Sequence, residues 1–132
     1  MSTEENVPSR PTPQINIFLD KKEYVYNRGE VLTGVYRILD VESDQINSVE
    51  MSVLWRTEGK GDEDMTVIDI QSQSRQQEDW INPRIPGKIE TVLPSGPISY
   101  EGQILKIRWC VRVRMTLVSG QEALAERVFW VQ

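Results

Sequence analysis

Histidine is absent from the 132 residues and cysteine occurs once, as Cys110. The first absence removes the commonest general base, the usual activator of a nucleophile and the commonest nitrogen ligand for metals. The second leaves no internal disulfide framework and no thiolate metal cluster, as in a reducing compartment. No apolar run approaches the roughly 20 residues that span a bilayer. The N-terminal stretch MSTEENVPSR is polar and acidic where a secretory signal is basic and then apolar. A cytoplasmic protein without a transmembrane segment is expected. Positive charge is also short, with 15 Lys and Arg against 20 Asp and Glu for a net charge of −5. Phosphate neutralisation needs a basic surface, so this balance predicts no nucleic-acid partner.

What is present is a globular mix, 39% hydrophobic and 27% charged, of a length that fits one domain with a real core. Residues 1–13 carry Pro8, Pro11 and Pro13 among polar residues and read as a flexible tail, leaving residues 14–132 as a single domain. From there the hydrophobic period is two, the mark of half-buried strands. Ile15, Ile17 and Leu19 alternate in INIFLD, and Leu32, Gly34, Tyr36 and Ile38 share one face of VLTGVYRIL. In NSVEMSVLWRTEG, Val49, Met51, Val53 and Trp55 fall on one side, with Ser48, Glu50 and Ser52 on the other. EGKGDED turns this run into MTVIDIQSQ. Residues 72–84 read as a loop anchored by Trp80 and Ile81, and GKIETVLP resumes with Ile89, Thr91 and Leu93. Seven or more such runs and no helical periodicity predict an all-β, immunoglobulin-like sandwich of antiparallel strands, a closed barrel being the alternative.

The most conspicuous run is GQILKIRWCVRVRM, residues 102–115. Lys106, Arg108, Arg112 and Arg114 occupy even positions, while Leu105, Ile107, Trp109, Val111, Val113 and Met115 occupy odd ones. The odd residues are expected in the core. The basic row is then either a solvated sheet face paired to acids on neighbouring strands, its stems covering apolar surface, or a stripe whose guanidinium forks hold a carboxylate, phosphate or lipid headgroup. A three-residue turn at Ser119 to Gln121 would return the chain with Glu126 opposite Arg114 and Ala123 opposite Leu117. Phe129 and Trp130 are adjacent and must point to opposite faces. The outward one, taken as Trp130, is a candidate partner or dimer contact.

Other constellations are weaker. Asp62, Glu63 and Asp64 cluster oxygens at a hairpin tip without the spacing of a calcium loop, so no metal is expected. Gly29 and Gly34 are spaced like a phosphate loop, but Val35 stands where lysine is required. Glu122 with Glu126 share a strand face roughly 13 Å apart, too far to act on one bond. Asp62 with Asp64 sits in a loop. Cys110 has no histidine to activate it, although flanking arginines could lower its pKa. No enzyme activity and no cofactor are expected.

Two blocks, taken together, resemble the N-terminal domains of the arrestin-like family. INIFLDKKEYVYNRGEVLTGVYRI (15–38) is similar to the family's opening hairpin, with its Tyr…Gly-Glu turn and Gly-containing strand. ETVLPSGPISYEGQILKIRWCVRV (90–113) is similar to its Leu-Pro, Pro-x-Ser-Tyr/Phe-Glu-Gly connection into a long central strand. The resemblance covers residues 15–132, one sandwich where arrestins, the related retromer subunit and bacterial sporulation-control proteins have two. It implies a non-enzymatic scaffold or adaptor that presents strands and loops to protein partners, with homo-oligomerisation through an edge strand as a subsidiary expectation. The alternative is an anion-binding domain using Lys106, Arg108, Arg112 and Arg114.

Overall fold

A computed structural model describes residues 12–61, 63–76 and 80–132. Nine strands follow one another: β1 (Gln14–Leu19), β2 (Val25–Tyr26), β3 (Val31–Leu39), β4 (Ile46–Gly59), β5 (Met65–Ser74), β6 (Gly87–Val92), β7 (Tyr100–Glu101), β8 (Leu105–Leu117) and β9 (Glu122–Val131). A 3-10 turn, Ser43–Gln45, enters β4. The small sheet has the order β1-β3-β6, and the large one β2-β9-β8-β4-β5 with β7 also on β8. The result is the expected sandwich, not a barrel. One departure is that β2 runs parallel to the end of β9, pairing Val25 with Trp130 and Tyr26 with Val131. No helix among the described residues is long and apolar enough to cross a membrane. The predicted tail falls largely on residues 1–11, outside the described residues.

Alternation builds the core. Ile17, Leu19, Leu32, Tyr36, Ile38 and Ile89 from the small sheet meet Val49, Met51, Val53, Trp109, Val111, Val113, Met115 and Phe129 from the large one in a single buried cluster. Gly34 sits in β3 because a Cβ there would come within 2.4 Å of the Phe18 carbonyl oxygen of β1. Ile81 is buried and anchors the segment after β5. Trp80 does not, being exposed, and β5 persists as strand to Ser74, beyond the predicted loop start at residue 72.

The two blocks that carry the family resemblance are stitched to each other. Gly29 N–H donates to Pro94 O and Leu93 N–H to Glu30 O, at 3.3 and 2.9 Å. The Trp109 indole donates to Pro97 O at 2.9 Å, and buried Ser99 accepts Val131 N–H on its hydroxyl at 2.9 Å while its own N–H reaches Val131 O at 2.7 Å. The Pro-x-Ser-Tyr-Glu run thus caps the central tryptophan and ties β9 in place before Tyr100 and Glu101 pair with β8. In the first block, Tyr26 donates to Asp20 at 2.6 Å and Lys21 pairs with Glu30. Burial alone would raise the Asp20 carboxyl, but the hydrogen bonds from Tyr26 and Thr33 outweigh it and hold it below its usual value.

Candidate functional site

The side chains of Lys106, Arg108, Arg112 and Arg114 share the outer face of β8, and β8 lies in the middle of the large sheet. Its neighbour β4 places Glu58, Arg56, Ser52 and Glu50 directly across from them in turn. On the other side, β7 brings Glu101 across from Lys106, and β9 brings Glu126 across from Arg112 and Leu124 across from Arg114.

The β8–β9 hairpin therefore differs from expectation. Its loop has three residues, but these are Val118 to Gly120, because Gly120 supplies the left-handed backbone (φ 93°) that the last loop position requires. Leu117 N–H then bonds Gln121 O at 2.8 Å. Glu126 thereby opposes Arg112, not Arg114, and Leu117 faces Gln121 in place of Ala123.

Three acids thread the bases into one chain of contacts. Glu126 Oε2 accepts Arg112 Nη2 at 2.8 Å and Arg56 Nη1 at 2.9 Å. Glu58 Oε2 lies 3.7 Å from Arg56 Nε and 2.5 Å from Arg108 Nε. Glu101 completes the line, 3.9 Å from Arg108 and 3.0 Å from Lys106. Four cations share three carboxylates, so one positive charge is in excess. Burial would raise the Glu126 carboxyl, but the arginines hold it below its ordinary value of 4.5. Arg114 is exposed and has no acid within ion-pair distance among the described residues. Trp130, 39% exposed, stands on the same face one strand from Arg108, which the register of Trp109 with Phe129 places beside it. All five predicted residues thus lie on one surface.

Beneath the charges the outer face is not simply wet. Leu54 and Cys110 are fully buried, yet they belong to the outer side and stand outside the inner cluster. Arg56 and Glu126 lie 3.7 and 3.8 Å from Cys110 Sγ and roof it. Burial, then the Glu126 charge, pushes the thiol up to about 11 against the opposing pull of Arg56 and Arg112. The arginines do pull this pKa down, but burial in apolar surroundings and the Glu126 charge outweigh them, so the thiol is not the lowered one that the flanking arginines suggest.

Arg56, Glu58 and Glu101 were not singled out in the sequence. The even-odd parity of Arg56 and Glu58 with Ser52 on β4 was readable, but which β8 residue each of the three would meet depends on register. The hairpin-tip cluster cannot be described in full, since Asp62 is outside the described residues. Asp64 exchanges backbone and hydroxyl hydrogen bonds with Thr57, at 2.9 and 2.8 Å. Glu122 and Glu126 share the outer face of β9, and Glu126 is committed to the arginines.

No protein-family model and no curated protein matches the chain. By structure it is similar to the sporulation control protein Spo0M from Bacillus subtilis, with a TM-score of 0.66 and 14% identity over 92% of this chain. The fold is that of an arrestin-type β-sandwich. This chain spans about half of that structure, 50% of its length. Identity at this level speaks for the fold alone.

Proposed function

We propose that the chain is a non-enzymatic interaction module, a scaffold or adaptor of arrestin-type fold acting in the cytoplasm through residues 14–132. The observation that carries this reading is the outer face of the large sheet, where paired bases form a fixed charge lattice beside exposed Trp130 and Leu124. A preorganised polar surface with an aromatic anchor is what a protein partner can dock on at little entropic cost. Free sheet edges add a second route, pairing with a further copy. The arrestin-type sandwich of the Spo0M neighbour supports the same direction.

The test is capture of binding proteins from native lysate on the wild-type chain and on Trp130→Ala, with melting temperature as a fold control. A set of proteins retained by the wild type and lost on the variant is expected. Identical sets on both baits would remove this face from the reading.

A second reading, an anion-binding domain for an acidic or phosphorylated ligand or headgroup, is favoured by one observation, the uncompensated Arg114 beside the excess charge of the lattice. Titration of a phosphorylated peptide against the wild type and Arg112→Ala/Arg114→Ala separates the two. Saturable binding abolished in the double variant supports the anion, and none in either supports the protein partner.

A further inference from the structure

The hydrogen-bonding edge of β5 is, among the described residues, the longest open edge of the sandwich. Among the described residues β5 pairs only with β4. Arg75 N–H donates to Asn47 O at 2.8 Å, which fixes the phase of the ladder. In an antiparallel pair alternate residues bond the neighbour, so the N–H and C=O groups of Ile70, Ser72 and Ser74 point away from β4. The other edges are closed differently. β6 is six residues long and carries Lys88 and Glu90, and Arg127 of β9 reaches across to the Ile17 carbonyl of β1 at 3.4 Å. Between Asp69 and Arg75, β5 has no lysine and no proline, the residues that usually blunt an edge. Its one irregularity, opposite Val53 and Leu54, precedes this segment.

The segment reads Asp69-Ile70-Gln71-Ser72-Gln73-Ser74-Arg75. The glutamines are symmetric about Ser72, and the two ends carry opposite charge. We propose that two copies of this chain pair their β5 edges antiparallel about a two-fold axis at Ser72, making one continuous sheet of the two large ones. In that register Ser72 meets Ser72 of the second copy, Gln71 meets Gln73, Ile70 meets Ser74, and Asp69 meets Arg75, each contact made twice by the symmetry. Both charged groups are already held on their own chain, Asp69 by Thr91 at 2.7 Å and Arg75 by the Asp44 carbonyl at 2.6 Å. A parallel arrangement would set like charges together, and a slip of two residues either way would separate both pairs. Register is thus specified by charge as well as by backbone. This inference rests on the edge-strand part of the proposed function and names its edge, its register and its partner.

Sedimentation velocity of the full chain from micromolar to millimolar concentration tests it. A monomer–dimer equilibrium is expected. Ser72→Pro should abolish it while keeping the wild-type circular dichroism and melting temperature, because the lost N–H bonds nothing among the described residues. Arg75→Asp, which sets two carboxylates together, should weaken it at least about tenfold. Ser72→Cys should form a disulfide dimer under mild oxidation, since a hydrogen-bonded pair brings Cα atoms to about 5.5 Å, while Ser95→Cys in an exposed turn should not. A wild type that stays monomeric at millimolar concentration, with no cross-linking of Ser72→Cys above Ser95→Cys, overturns the proposal. So does a dimer indifferent to both Ser72→Pro and Arg75→Asp. Either result leaves partner capture through Trp130 standing or falling by itself.

Discussion

The two sheets turn very different outer faces to the surroundings. On the large sheet, bases of β8 lie between acids of β4, β7 and β9, and the lattice they form roofs Cys110, on a face where Leu54 is equally buried. On the small sheet, Arg37 stands across from Asn16, and Lys88 across from Val35. With no acid on the facing strand to draw these long side chains over the surface, Phe18 and Val92 remain bare, 47% and 66% exposed. Among the described residues the ion pair on that face, Lys88 with Glu90 at 3.5 Å, runs along one strand at the margin. Polar residues on alternate positions are therefore not equivalent to a solvated face. Where opposite charges stand on neighbouring strands, their stems make a second, shallow layer of burial.

The most forceful way to break that comparison is Leu54→Ala set against Val35→Ala. The first empties a fully buried site and should cost about 2–4 kcal/mol in chemical denaturation. The second removes exposed methyls and should cost less than about 0.5 kcal/mol. Equal costs would mean that the charged lattice covers nothing.

Glu126→Gln comes next. It releases Arg56 and Arg112 together, but the pair of contacts is part-exposed and screened by water, so a loss of about 1 kcal/mol is expected, shrinking in high salt. Glu90→Gln on the small sheet should change almost nothing. The folded pKa of Glu126 is lowered, so its contribution is present above the ordinary 4.5 and is lost as pH falls through the lowered value. The gap between wild type and Glu126→Gln should close on acidification, as read by denaturation at a series of pH values.

A smaller effect tests the burial of the thiol. Its pKa is raised from 9.0 to about 11, so the contribution of the neutral thiol holds below the first value and declines as pH rises between the two. Wild-type stability should fall across that window more steeply than that of Cys110→Ala, and alkylation of folded Cys110 at neutral pH should be far slower than in the unfolded chain. The smallest effect is that of Arg114→Ala, within about 0.5 kcal/mol of wild type. Any larger loss would place Arg114 inside the lattice.

The inward residues of both sheets, the opposition of Phe129 to Trp130 and the resemblance of two separated blocks were all legible in the sequence. They are set by parity, which is local, and the blocks are recognisable because each makes hydrogen bonds to the other. The partner of each arginine was not legible. Sliding β9 by two residues keeps every side chain on its face and changes every neighbour, so alternation is blind to the difference between Glu126 opposite Arg114 and Glu126 opposite Arg112. Only the demand for a left-handed residue at the end of the loop, met by Gly120, decides it. The burial of Leu54 and Cys110 was hidden for the same reason, since it depends on charges supplied by strands far away in sequence. Trp80 misled because size suggests an anchor, whereas the smaller Ile81 next to it does the anchoring.

Besides the buried Phe129 and Val131, residues 130–132 are held by a run of main-chain hydrogen bonds. Trp130 N–H bonds Tyr24 O at 2.9 Å, Gln132 N–H bonds Tyr26 O at 3.0 Å and Gln132 O receives Arg28 N–H at 3.2 Å. A clasp made of backbone asks nothing of the side chains that ride on it. The indole of Trp130, 39% exposed, takes no part in that clasp, a position where substitution can change what the surface offers to others and leave these backbone bonds as they were.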